Sequence, residues 1–347
     1  MPNMDRKERF FRTIAREAVD RNATWLGLPA EGAVPGLLRY FKAGSLTEMK
    51  DKLHDDVYPV EMPYESDTSH AIYTALSFAK HPTGSDFDRT LTVPGFFEDM
   101  EDPKLVETFP WPDPARHINP DDCRRLVRES PRDAAVVGVI WSAHFQDTCA
   151  AFGMENALMT MLTAPEMYRA VDRRIVDFYL KANEIFFEAT RGYLDAILIG
   201  NDVGSQRNLM ISPEQVREFV LPGSRRLIQQ AKDYGLKVIY HSCGSIEPVI
   251  DDLIASGVDV VHPIQALAAN MQPQHLHDRF GSRVSFCGGV DAQELLVRGT
   301  PDEVYAATRQ LREIFPTGLV ISPSHEAILP DVNPANIEAM FRAAHEA

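Results

Sequence analysis

The sequence is short of cysteine, of long apolar runs and of clustered positive charge. Four cysteines in 347 residues (Cys123, Cys149, Cys243, Cys287) are too few for a disulfide framework in a chain this long. In a reducing compartment, a cysteine in polar, glycine-rich surroundings points instead to metal or redox chemistry. Cys243 and Cys287 have such surroundings, whereas Cys149, in DTCAAFG, and Cys123, in DDCRRLVRE, read as ordinary helix or loop residues. No uninterrupted apolar stretch approaches the roughly 20 residues needed to cross a bilayer. The opening, MPNMDRKERFFRTIAREAVDR, is charged and helical without the apolar segment or cleavage site of a signal peptide, so a cytoplasmic protein is expected. Basic residues are outnumbered, 35 Lys plus Arg against 50 Asp plus Glu for a formal net charge of −15, and they form no long run. Nucleic acid and anionic membranes are thereby poor partners. Also missing is any GxGxxG or GxxxxGK[ST] after an apolar run, which removes the main support for a doubly wound nucleotide-binding sheet.

What is present is a regular grammar from about residue 134 onward. Short β-branched runs, AAVVGVIW (134–141), AILIG (196–200), KVIY (237–240), GVDVVH (257–262), RVSF (283–286) and GLVIS (318–322), alternate with helical segments. Such alternation argues a parallel sheet joined by crossover helices, and the continuous apolarity of the runs suits strands buried on both faces. Helix starts carry mechanisms: Thr163 before Ala164-Pro165-Glu166, Ser212 before Pro213 with Gln215 in the capping-box place, and Thr300 before Pro301 with Glu303 likewise. After Ser245 the apolar positions Ile246, Val249, Ile250, Leu253 and Ile254 keep a helical period until Gly257. The first 130 residues are irregular, rich in Pro, Gly and aromatic clusters, and read as long loops around a helix at 5–18. TWLG at 24–27 is the candidate first strand and VYPVEM near Val57 the second. Eight strands account for the whole length, 1–347, as one TIM (β/α)8 barrel domain with long N-terminal loops and helices and no linker.

Active sites in such barrels lie at the carboxyl ends of the strands, so the residues following each run are the candidates. They are Ser142 and His144; Asn201 and Asp202; His241, Ser242 and Cys243; His262; Cys287 with Gly288 and Gly289; and Ser324, His325 and Glu326. HSCG at 241–244 stands out, because residues i and i+2 of an extended chain face the same way and His241 with Cys243 can offer an imidazole nitrogen and a thiolate to one zinc ion. His325 is the preferred third ligand and Cys287 the alternative or fourth. Cys287 otherwise packs under the Gly-Gly turn, and His325 otherwise sits exposed in a loop. Asp202, in a tight turn, either moves a proton and orients a substrate or caps a helix. His144 and His262 are not expected as ligands: Phe145 is placed to pack one, and Pro263 puts the other in a turn.

The opening RKERFFRTIAREAVDRNATWLG, the block from GNDVGSQRNL through KVIYHSCGSIEPVIDDLIASGVDVVHPIQ, and the closing FCGGVDAQELLVRGTPDEV and ISPSHEAILPDVNPANIEAM together resemble the uroporphyrinogen decarboxylase superfamily, in particular its methyltransferase-like branch. The resemblance implies a TIM barrel and, for members with His-X-Cys after strand five, zinc at His241 and Cys243. It further implies exchange of methyl groups between a small molecule and a corrinoid (cobalamin) on a separate protein; homodimers occur in that family. Methylcobamide:coenzyme M transferases carry a cysteine in an SPGC-like turn after strand eight, where this chain has Ser322-Pro323-Ser324-His325, exchanging thiolate for imidazole. The decarboxylases proper carry an arginine-rich segment after strand one that grips tetrapyrrole carboxylates, and LGLPAEGAVPG here has no arginine. Methyl transfer assisted by zinc is therefore the expected function, with Asp202 and His241 catalytic. A lyase acting on a non-porphyrin carboxylate and a non-catalytic binding barrel are the alternatives.

Overall fold

The computed structural model describes residues 4–80 and 91–346; part of the turn-rich stretch HPTGSDFDRTLTVPGFFEDMEDPK falls outside them. The strands are β1 (Leu28–Pro29), β2 (Val57–Glu61), β3 (Ala135–Trp141), β4 (Ala196–Gly200), β5 (Lys237–His241), β6 (Val260–Ile264), β7 (Ser285–Val290), β8 (Leu319–Pro323) and β9 (Ala327–Ile328). Strands β2 to β8 form one parallel sheet in sequence order, and β1 pairs with β9 beside it. Every gap between successive strands of the large sheet holds helices, as parallel crossovers require. The fold is the expected TIM barrel.

The first barrel position is held differently from the others. Residues 23–26 meet β8 through Trp25 N–H to the Ile321 carbonyl (3.0 Å) and Ile321 N–H to the Ala23 carbonyl (2.8 Å), with one bridge at Thr24 and Ile321. On the other side the Thr24 carbonyl accepts from Asp56 N–H at 3.1 Å, and side chains supply the rest. The Asp56 carboxylate accepts from Thr24 N–H (2.8 Å) and Oγ1 (3.0 Å), and Asp55 accepts from Leu26 N–H (3.1 Å). Asp56 is in turn neutralised by Arg9 (2.6 Å) and Arg21 (2.7 Å), and Asp55 by Lys50 (2.7 Å). Thus TWLG does occupy the first strand position, but as a short extended segment pinned by carboxylates.

Inside the barrel, Val57, Val137, Val139, Leu198, Ile239, Val260, Cys287 and Val320 pack together, and Phe10 and Ile14 of the helix Arg6–Ile14 close the floor. That helix is shorter than the 5–18 expected, because Arg16 turns left-handed (φ 60°). The opposite strand faces pack against the outer helices in a second, larger cluster. The early region holds further short helices, Val34–Tyr40 and Leu46–Lys52 among them, where the sequence suggested loops.

The capping boxes at Ser212/Gln215 and Thr300/Glu303 form as expected. Thr163 does not cap: it ends the preceding helix, Met154–Thr163, and its hydroxyl turns back to the Met159 carbonyl. The helical stretch 213–233 contains a π turn, Val216–Val220, directly before Leu221-Pro222. Proline lacks an N–H and crowds the carbonyl four residues back, so a widened turn lets the helix pass through Pro222 without breaking.

Because Arg9 joins the floor helix to Asp20 and to the buried Asp56, Arg9→Leu leaves carboxylate charge uncompensated at the closure. It is expected to lower the unfolding free energy by about 3–5 kcal/mol, read from urea denaturation. A loss below about 1 kcal/mol would show that the closure does not depend on this pair.

Candidate metal centre

The open carboxyl end of the barrel gathers its polar side chains around one imidazole. His241 ends β5 with its ring buried, at 5% exposure. Its Nε2 lies 3.4 Å from Cys243 Sγ and 3.2 Å from Asp202 Oδ1. Its Nδ1 lies 2.9 Å from His262 Nδ1 and 3.5 Å from Glu326 Oε2. The ring is therefore flanked by two sets of donors, Asp202 with Cys243 and His262 with Glu326, each close enough to share an ion with it.

Each neighbour is placed by its strand. Asp202 follows β4, and its Oδ1 accepts the Cys243 N–H at 2.8 Å, tying the ends of β4 and β5 together; it caps no helix. The approach is close enough that a Cβ on Gly200 would collide with the His241 backbone. Asn201, next to Asp202, is held from behind: its amide donates to Ser224 Oγ and Tyr240 OH (both 3.2 Å) and accepts from Phe145 N–H (2.8 Å). Ser224 is bonded to His144 Nε2 (3.1 Å), whose Nδ1 meets Asp172 (2.6 Å). His144 thus sits outside the barrel wall, buried among helices and away from the mouth.

Burial by itself pushes the His241 imidazole toward neutrality. Glu326, Asp202 and Cys243 overcome that and hold its pKa well above the usual histidine value. His262, fully buried beside that charge, is held well below it and stays neutral. His241 therefore donates from Nδ1 to His262 Nδ1, which places the His262 proton on Nε2, a buried atom without a hydrogen-bond partner, next to the Trp25 ring (5.3 Å). Burial would raise both Asp202 and Cys243, yet hydrogen bonds and charge from His241 bring the carboxylate far below its ordinary range. His241 and His325 together lower the thiol.

Two expectations change here. Cys287 does not reach the mouth: β7 runs on through Gly288 and Gly289 to Val290, so Cys287 sits mid-strand in the barrel interior. Burial drives its thiol pKa far up. His325 does lie beside Cys243, but its Nδ1 accepts the Ala327 N–H at 3.0 Å. Its ring proton then sits on Nε2, so it offers the Cys243 sulfur a hydrogen bond rather than offering an ion a lone pair. Asp202, rather than His325, groups with His241 and Cys243, their candidate ligand atoms all lying within 4.8 Å of one another.

Of the other residues at the mouth, His262 and Glu326 followed their runs but were given no role from sequence, and Trp141 and Glu61 were passed over. His262 faces inward because β6 continues to Ile264 through Pro263. Glu326 is positioned by the pairing of β1 with β9, its carbonyl accepting the Leu28 N–H at 2.6 Å. Trp141 meets the His241 ring edge-on at 5.6 Å and 86°, and Glu61 ends β2 on the inward face shared with Val57. Period-2 counting from Val57 would have found Glu61. A cavity of about 190 Å³ opens beside His325, lined by Gln206, Gln265, Asp291, Ser324 and Leu329 among others.

A family model described as Uroporphyrinogen decarboxylase (URO-D) matches residues 82–347. The chain is 30% identical over 159 residues to the methylated-thiol--coenzyme M methyltransferase of Methanosarcina mazei, covering 46% of this chain and 40% of the relative. It is 26% identical over 144 residues to the uroporphyrinogen decarboxylase of Danio rerio, covering 39% and 37%. The chain thus matches about two fifths of the length of these curated relatives. A solved structure described as a methyltransferase from Methanosarcina mazei superposes with a TM-score of 0.71 over 98% of both chains at 18% identity, a likeness of fold. Among the described residues no helix is long and apolar enough to cross a membrane.

The thiols differ sharply. Cys243 is half-buried and lowered, whereas burial raises Cys123 to about 11 and Cys149 to about 12. In chelator-treated protein at pH 7.5, iodoacetamide is expected to modify Cys243 at least about tenfold faster than the other three, followed by mass spectrometry. Equal rates, or Cys287 reacting first, would contradict the geometry described.

Proposed function

Because the chain belongs to the uroporphyrinogen decarboxylase (URO-D) family, we propose that it is a zinc-dependent methyltransferase. It moves a methyl group between a small O-, N- or S-methylated substrate, or a thiol or folate acceptor, and a corrinoid on a separate protein. The reading rests on the convergence of His241 Nε2, Cys243 Sγ and Asp202 Oδ1 at separations of 3.2 and 3.4 Å from the imidazole nitrogen. Those separations suit neighbouring vertices of a tetrahedron whose bonds are about 2.0–2.3 Å long, the range for zinc with nitrogen, oxygen and sulfur.

The donor chemistry fits as well. One imidazole, one thiolate and one carboxylate form a set that zinc accepts, leaving a fourth position for substrate. Without an ion, two anionic groups crowd one imidazole nitrogen and hold a proton there. A divalent cation answers the same electrostatic demand and displaces that proton. On the far side of the ring, His262 and Glu326 take the His241 Nδ1 proton and fix the tautomer that presents Nε2, the usual arrangement behind a ligating histidine.

Zinc bound there would supply Lewis-acid chemistry to an oxygen or sulfur of donor or acceptor, and the corrinoid would carry the methyl group. The chain's own residues bind, orient and exclude water. Asp202 fixes the β4–β5 gap, and the His325 Nε2 proton tempers the charge on the Cys243 sulfur or passes to a departing group in the adjoining cavity. The methyltransferases named among the relatives support methyl transfer over decarboxylation. So does the lack, among the described residues, of Lys or Arg in the linings of the cavities beside His325 and Trp141, where a polycarboxylate would find no partner.

Elemental analysis should find about one zinc per chain in the wild type and less than a tenth of that in His241→Ala or Cys243→Ser. Glu326→Gln should weaken zinc about 10- to 100-fold without abolishing it. Turnover of methylcobalamin with a thiol acceptor, followed by absorbance, should fall in parallel with metal content. Less than about half an equivalent of zinc in the wild type, unchanged by either ligand substitution, would overturn the reading.

A further inference from the structure

A second, smaller cavity of about 120 Å³ opens on the β2–β3 side of the mouth, walled by Glu61, Tyr73 and Trp141 with Met62, Ile72 and Val139 around them. Trp141 belongs both to this wall and to the metal centre, because its indole also touches His241. Its placement is unusual. Trp141 and Ser142 are consecutive residues with φ of 51° and 52°, a left-handed conformation that bulky L-residues rarely adopt. The register between β3 and β4 shifts at the same point. The strained turn carries the indole over the mouth.

Glu61 faces this cavity from the end of β2. Its side chain stays open to solvent there, the protein packed around it pushes its pKa upward, and among the described residues no donor or cation answers the carboxylate. His70, on the same cavity, is paired with Glu65 at 2.7 Å. Among the described residues neither this cavity nor the one beside His325 is lined by Lys or Arg. The charge count at the mouth is one-sided: a bound dication would balance the Cys243 thiolate and the Asp202 carboxylate, and Glu326 and Glu61 would remain. Among the described residues an anionic substrate would meet no Lys or Arg at these cavities, whereas a cation would meet the Glu61 carboxylate and two aromatic side chains.

We propose that the cavity walled by Glu61, Tyr73 and Trp141 binds a methylated ammonium group, making a small quaternary or tertiary amine the substrate class. Such a cation spreads its charge over methyl groups, so it loses little hydration on entering an aromatic-walled site and gains the attraction of the ring faces, about 0.5–2 kcal/mol for each contact. The cavity admits a small head group and not a macrocycle. Its wall residue Trp141 also touches His241, so an amine held there lies one side chain away from the metal centre. The inference deepens the methyl-transfer reading and rests on it for the word substrate; the binding itself does not.

The test is calorimetric titration of the zinc-loaded full chain with choline and with its neutral isostere 3,3-dimethyl-1-butanol. Choline should bind at least about tenfold more tightly, and both Glu61→Gln, which keeps size and shape, and Trp141→Leu should erase the preference. Equal affinity of the two ligands for the wild type would overturn the inference, a comparison that needs no variant to fold. A preference that survives Glu61→Gln would equally overturn it. Zinc content and methyl turnover are measured separately, so absence of a cation preference in a zinc-loaded, active protein defeats only this inference. A cation preference in a protein without zinc defeats only the zinc reading.

Discussion

The barrel depends on the carboxylate of Asp56. Elsewhere neighbouring strands hold one another by repeated backbone hydrogen bonds, but residues 23–26 have no such ladder to β2 and are held by Asp55 and Asp56 side chains. Two buried charges would be prohibitive alone, and Arg9, Arg21 and Lys50 make them tolerable. That arrangement lets the ring close with its first strand reduced to a few residues. It also seats Trp25 inside, against His262, which in turn accepts a hydrogen bond from His241. The closure and the candidate metal centre are thus joined through two rings in contact.

At the other end of the barrel the organising fact is that His241 has two faces with different tasks. The Nε2 side meets anions that can hold a cation; the Nδ1 side meets a neutral histidine and a buried carboxylate that fix which nitrogen carries the proton. Each side needs the other. An imidazole free to exchange its tautomer would present a lone pair to the wrong neighbour about as often as to the right one.

Much of this was legible in the sequence, for identifiable reasons. Parallel strands buried on both faces give continuous apolar runs, so β3 to β8 announced themselves, and the barrel rule then picked out Asp202, His241 and Cys243. What escaped lay in strand ends. Glycine and proline after an apolar run usually mark its stop, yet β7 passes through Gly288 and Gly289 and β6 through Pro263. The continuation of β7 to Val290 moved Cys287 into the interior, and that of β6 to Ile264 moved His262 onto the site. Glu61 and Trp141 were missed because β2 carries a proline and β3 ends in a bulge, which blurs the face each residue takes. The tautomer of His325 depends on a backbone N–H two residues away, and no residue pattern encodes that.

The π turn at Val216–Val220 has a consequence for how this stretch tolerates change in length. One residue of an α-helix corresponds to about 100° of rotation. At one end of the turn Ser212 and Gln215 form their capping box, and at the other Ser224 reaches His144, Tyr240 and Asn201. Removing one residue would give a more regular helix, yet either the cap or Ser224 would then be swung a quarter-turn or more out of place. The regular helix and the correctly phased helix are different objects here, and the irregular one is the one whose two ends both fit.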